Sequence, residues 1–329
     1  MNSYSFIAII GILYILSITY YRNKYFPFTV KTSSSLKGIL SILIILSHIN
    51  FHADLPVFLT ITHWSGTKVA LFFFISGYGL MASYQKKEKT YLDGFLSKRI
   101  WNIIKPLLII TILFLACNYL DTGNWMPDIL SNLVLKGNTP LPYSWFAYAI
   151  IIFYLLFYVI FRFGWDKEVK ILLMFILTFG VTVVLWKINY DRAWWVSNLA
   201  FPLGMLYQYK EKVIISMSRT KFGNLLLVPL CCLVAFLTAI LKVELLYSFA
   251  YIFIALMVIV LISYVKMPQS RPFTFLGKIS YETYLVHGAV LTLLRGKHVY
   301  ITNGYLYLFT AIIITVCISY ILNSIFSRK

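Results

Sequence analysis

The chain has 329 residues, 60% of them apolar and only 12% charged, a balance that excludes a water-soluble domain of this size. Apolar runs of about 16–22 residues recur along its whole length, without the period-two alternation that a membrane β-barrel requires. The net charge of +18 would suit a nucleic-acid binder, yet it lies in short segments between apolar runs and reads as membrane topology; no nucleic-acid partner is expected.

In chain order, eleven spans are predicted, near residues 4–21, 36–53, 66–83, 103–120, 144–162, 170–187, 193–208, 225–241, 246–264, 276–294 and 305–325. A spanning segment must satisfy its own backbone hydrogen bonds, so the fold class is an all-α polytopic membrane protein. Arg22 and Lys24 follow the first apolar segment rather than precede it, which marks a retained span and not a cleaved signal peptide. A basic stretch, 85–105, leads into the fourth span. The external segment 121–143 carries Gly123, Pro127, Gly137, Pro140 and Pro142, with a short interfacial helix predicted over 125–135. The other loops are short and leave no room for an attached soluble domain. Residues 1–32 therefore form an extra N-terminal helix with a basic loop, and 33–329 one membrane domain.

Assigning alternate loops to the two sides places 22 of the 29 Lys and Arg on one side and seven on the other. The positive-inside rule makes the rich side cytoplasmic, with the N-terminus outside and the C-terminus inside. Most of this charge orients the chain and meets anionic membrane lipid. All four cysteines lie within predicted spans, there is no Cys/His metal spacing, and no metal is predicted.

Polar residues inside spans carry the functional signal. Lys37 and His48 are eleven residues apart in the second span. On a helix that is roughly 16 Å of rise and only ~20° from three full turns, so the two share a face. An intramembrane histidine is costly and is a functional-site hypothesis by default; the alternative is a hydrogen-bonded contact between helices. Ser76-Gly77-Tyr78-Gly79 puts small residues and hydroxyls in the third span, suited either to close helix packing or to lining a tunnel. In the tenth span, Ser280, Tyr284 and His287 recur at i, i+4 and i+7 and share a face about 60° wide. Glu282 points some 160° from Tyr284, one turn from Lys278, with which it could pair. His52, Asp54 and His63 lie near the outer mouth of the second and third spans, and Trp145, Trp194 and Trp195 at external span edges could stack on a sugar ring.

Four stretches stand out together. Leu36-Lys37-Gly38-Ile39 leads to His48. Val69-Ala70-Leu71-Phe72-Phe73-Phe74-Ile75-Ser76-Gly77-Tyr78 opens the third span. Phe95-Leu96-Ser97-Lys98-Arg99-Ile100 precedes Pro106, and Gly277-Lys278-Ile279-Ser280-Tyr281-Glu282-Thr283-Tyr284-Leu285-Val286-His287 opens the tenth. In this order, with weaker echoes at Ser144-Trp145-Phe146 and Phe201-Pro202-Leu203-Gly204, they resemble acyltransferase family 3 of bacterial integral-membrane enzymes over about residues 33–326. Lys37 stands where that family usually has arginine, and Asn102 where a second arginine is usual. The ten spans after the first match the family's ten helices.

The resemblance implies transfer of an acyl group, commonly acetyl, from cytoplasmic acetyl-CoA or another acyl-CoA to a hydroxyl of an envelope carbohydrate, at the bacterial plasma membrane. Such a hydroxyl is a poor nucleophile. His48 is the candidate either to take its proton or to hold the acyl group covalently. Lys37, Tyr284 and His287 complete the candidate catalytic set, the Tyr–His stripe either ordering the acceptor or stabilising an oxyanion. Lys37, Lys98 and Arg99 are candidates to grip the donor's phosphates, with Ser76 and Tyr78 lining its acyl path. Trp145, Tyr281 and Glu282 are candidates to bind the acceptor. A polysaccharide-synthesis complex is a further expected partner. The rival reading is a transporter, or a non-catalytic component of such a complex, although no paired broken helices are visible.

Overall fold

The computed structural model describes residues 25–49, 55, 65–218, 220, 230, 233, 244–265 and 267–326. Among these the chain is helical, with no strand beyond the bridged pair Arg295 and Tyr300. In order come α1 (Val30–Ile49), α2 (Ser65–Lys87), α3 (Trp101–Thr122), α4 (Ile129–Lys136), α5 (Trp145–Arg162), α6 (Lys167–Lys187) and the short α7 (Ala193–Val196). They are followed by α8 (Ala200–Ser218), α9 (Leu246–Tyr264), α10 (Arg271–Lys278), α11 (Ser280–Leu293) and α12 (Gly304–Phe326). Six stretches among the described residues are long and apolar enough to cross a membrane: α1, α5, α6, α9, α12 and Leu96–Thr122, which joins a π-helical turn (Leu96–Ile100) to α3. The chain is a multi-pass membrane protein.

Several helix ends differ from those read in the sequence. The predicted span 4–21 lies outside the described residues, as does 225–241 except for residues 230 and 233, and so do His52, Asp54 and His63. Helix α1 starts at Val30 rather than near 36, because its polar first turns pack on protein. Ser34 Oγ donates to the Thr274 carbonyl at 3.2 Å, and Gln269 Nε2 donates to Thr32 Oγ1 at 3.2 Å. The predicted tenth span breaks at Ile279 into α10 and α11, and the seventh breaks into α7 and α8. The interfacial helix predicted over 125–135 forms as α4, starting at Ile129. It has no buried residue and ends at Gly137 in the left-handed conformation that favours glycine.

The chain divides into two compact units. The first is drawn from Met1–Val30, Val69–Phe95 and Ile152–Met267. Its core is aromatic, with Phe73, Phe74, Phe153, Phe157, Phe161, Phe201 and Tyr207 fully enclosed. Helices α2 and α8 meet through reciprocal glycines. A Cβ on Gly77 would stand 2.0 Å from the Phe201 carbonyl oxygen, and one on Gly204 2.0 Å from that of Phe74. Lys170 of α6 is buried, its Nζ donating to Tyr84 Oη at 3.2 Å and lying over the Tyr84 and Phe161 rings.

The second unit is drawn from Lys31–Lys68, Leu96–Ile151 and Pro268–Lys329. Helix α11 runs through it with eleven buried residues, packed against α12 and α3, so its side chains are enclosed on nearly every side. Two locks hold this arrangement. Tyr307 of α12 donates to the Leu291 carbonyl at 2.7 Å. Asp121 at the end of α3 accepts from the Lys297 and His298 amides at 2.9 and 2.8 Å, over Gly296, where a Cβ would strike the Asp121 carboxylate.

Candidate active site

The second unit gathers His48, Tyr143, Tyr284 and His287. His48 is in the last described turn of α1, and its imidazole stacks on the Tyr143 ring at 4.0 Å between centroids and 25° between planes. The His287 ring stands 5.2 Å from His48 and 5.8 Å from Tyr143. Three elements distant in sequence (α1, the segment before α5, and α11) thus meet at two imidazoles and a phenol.

Local chemistry explains how the segment before α5 reaches this point. Tyr143 has φ of 61°, a left-handed backbone that costs a non-glycine residue about 1–2 kcal/mol. The conformation is held from both sides. Tyr284 Oη donates to the Tyr143 carbonyl and accepts from the Phe146 amide at 3.0 Å. Gly288, one turn on along α11, has no room for a side chain, since a Cβ there would lie 2.3 Å from the Pro142 carbonyl oxygen and 3.0 Å from the Tyr143 ring. Burial raises the Tyr143 phenol above its ordinary value, so it remains a neutral hydroxyl.

His287 is fully buried, and its Nδ1 lies 2.5 Å from the Tyr284 carbonyl oxygen. A carbonyl only accepts, so Nδ1 carries a proton and donates it there. His48 is half-buried. One of the two imidazoles is enclosed, and the other remains accessible.

The remaining candidates separate by location. Lys37 is half-buried near the start of α1, beside Gly38, whose backbone lies against Phe273 and Gly277 of α10. Lys98 and Arg99 are exposed on the π-helical turn before α3. Tyr281 donates to the Ile103 carbonyl at 2.8 Å and ties α11 to α3. Glu282 is buried and accepts from Asn323 Nδ2 of α12 at 3.1 Å, and no ion pair to Lys278 forms. Trp145 is half-buried at the start of α5, edge-on to Phe146. In the first unit, the Tyr78 hydroxyl is 2.7 Å from the Phe28 carbonyl oxygen and 3.3 Å from Glu211, a carboxylate that also accepts from Tyr25 and from the Phe28 amide. Ser76, half-buried on α2, is also in the first unit.

Three residues near these groups were not singled out in the sequence. Tyr143 had no signal beyond its place among prolines, and Asn323 none at all. Lys68 did have one: it is a cation inside the predicted span 66–83. It is only 4% exposed, and its Nζ donates to Ser47 Oγ, the residue before His48.

The chemical capacity of this cluster is proton transfer at an accessible imidazole backed by an enclosed one, with a neutral phenol as its floor. A family model described as an acyltransferase domain matches residues 34–324, which takes in every residue of the cluster. No curated protein and no solved structure matches the chain. With most of its length matched, the chain belongs to acyltransferase family 3.

Proposed function

We propose that this protein moves an acyl group, acetyl foremost, from acyl-CoA on the cytoplasmic side to a hydroxyl of a cell-envelope polysaccharide or lipid-linked sugar. The observation that carries this reading is the His48–Tyr143–His287 stack lying within the acyltransferase domain. His48 takes the proton of the acceptor hydroxyl as that oxygen attacks the acyl carbonyl. Tyr143 and the enclosed His287 orient the imidazole. Lys37 is eleven residues from His48 on α1, roughly 16 Å of helical rise. That separation is comparable to the extended reach of the pantetheine arm between the donor's diphosphate and its thioester. Lys37, with Lys98 and Arg99 on the same basic side, grips the phosphates.

The same reading keeps eleven spans in the bacterial plasma membrane, with the N-terminus outside, the C-terminus inside, and residues 1–32 as an addition to the acyltransferase domain. The carbohydrate acceptor, and a polysaccharide-synthesis complex that delivers it, are the partners. The test is release of free coenzyme A thiol from acetyl-CoA by purified protein in lipid nanodiscs, with mass spectrometry of surface glycans from cells with and without the gene. His48→Ala is expected to lower both by about 10²-fold or more, the range of a lost general base. Unchanged glycan acylation in that variant would overturn the mechanism. Transport into sealed vesicles with no donor consumption would favour a carrier.

A further inference from the structure

The acyl-transfer reading requires a group that receives the negative charge developing on the thioester carbonyl oxygen, and Tyr284 is not available for it. Its hydroxyl is committed to the Tyr143 carbonyl and the Phe146 amide, as part of the lock that holds Tyr143 in its left-handed conformation. A basic side chain from another helix reaches the residue next to His48. Lys68, in the first described turn of α2, is 4% exposed, and Ser47 is fully enclosed. Lys68 Nζ donates to Ser47 Oγ, while Ser47 Oγ donates to the Leu43 carbonyl at 2.7 Å. An enclosed lysine on a membrane helix is costly to keep unless it has work to do. A preorganised N–H donor in a water-poor site is what a developing oxyanion needs.

Resting on the proposed acyl transfer, we propose that Lys68, assisted by Ser47, is the oxyanion-stabilising catalytic group of this site. The acceptor oxygen bonds to the thioester carbonyl carbon as His48 takes its proton, and the carbonyl π electrons move onto the oxygen that Lys68 Nζ then holds, with Ser47 Oγ keeping the lysine in place. The carbonyl re-forms, the carbon–sulfur bond breaks, and the leaving thiolate takes the proton from His48. The products are an ester and a thiol, and Lys68 and Ser47 end as they began.

The experiment compares wild type, Lys68→Met, Lys68→Ala, Ser47→Ala and His48→Ala in nanodiscs, with acetyl-CoA as donor and extracted envelope glycan as acceptor. Lys68→Met is expected to lose about 10²–10³-fold in kcat, the range for a deleted oxyanion-hole donor, with the donor KM within a few-fold of wild type. Added methylammonium is expected to restore part of the turnover of Lys68→Ala, which a merely structural lysine would not allow. Ser47→Ala changes little volume and keeps the proposal testable if the lysine variants do not fold; it is expected to lower kcat alone. A kcat within threefold of wild type in both Lys68→Met and Ser47→Ala, or a loss confined to KM, overturns the oxyanion role while an inactive His48→Ala leaves acyl transfer standing. If wild type releases no thiol from acetyl-CoA, acyl transfer itself fails and the oxyanion role falls with it.

Discussion

Tyr143 shows how one residue carries both strain and placement. Its left-handed backbone turns the chain so that the ring lies under His48, and the hydroxyl of Tyr284 pins the carbonyl that the turn exposes. Tyr284→Phe keeps the ring but deletes the donor to Tyr143 and the acceptor for the Phe146 amide. Leaving such buried groups unpaired costs about 1–3 kcal/mol. Thermal unfolding in detergent is expected to shift down accordingly, and turnover of acetyl-CoA to fall further than the folded fraction does, because Tyr143 is released from His48. A variant as active and as stable as wild type would show that the lock is dispensable. His48 and His287 were legible in the sequence because histidines in apolar runs stand out. Tyr143 was not, since positive φ on a bulky residue is decided by what surrounds it.

At the scale of elements, close approach replaces side-chain interdigitation wherever a glycine falls. Helices α1 and α10 cross at Gly38 and Gly277. A Cβ on Gly38 would meet the Phe273 carbonyl oxygen at 2.2 Å, and one on Gly277 the Ser34 carbonyl oxygen at 1.8 Å. Both obstacles are backbone, so neither can swing aside. Gly38→Ala and Gly277→Ala are each expected to destabilise by about 1–3 kcal/mol as overpacking, read as a lower midpoint of thermal unfolding. Gly79→Ala on α2 meets nothing within 4 Å and is expected to be neutral or stabilising by up to ~1 kcal/mol through helix propensity. Equal effects at all three positions would show that the crossing is not the constraint. The serines that open α1 teach a related lesson. The apolar run predicts a span from about 36; in the structure the helix already starts at Val30, where Thr274 and Gln269 supply hydrogen-bond partners from the other end of the sequence.

For the whole molecule, charge rather than packing argues the orientation. The proposed orientation, with the basic loops inside, would make residue 271 cytoplasmic and residue 136 external. On a cysteine-free background, a membrane-impermeant maleimide is expected to label Lys136→Cys in intact cells and Arg271→Cys only after permeabilisation. The reverse pattern would invert the topology and place Lys37 on the side opposite a cytoplasmic donor.

The amino-acid sequence alone determined that the chain is a helical membrane protein, since apolar runs of spanning length admit no other hydrogen-bonded backbone in lipid. Motif order and spacing also carried the family, and marked His48 and His287 as candidates. Only the tertiary structure decided which residues meet. It stacked Tyr143 on His48, withdrew Tyr284 into a backbone lock, paired Glu282 with Asn323, and set Lys68 against Ser47. The physical reason is that periodicity along one helix fixes a face, whereas the partner of that face comes from another segment whose approach depends on packing.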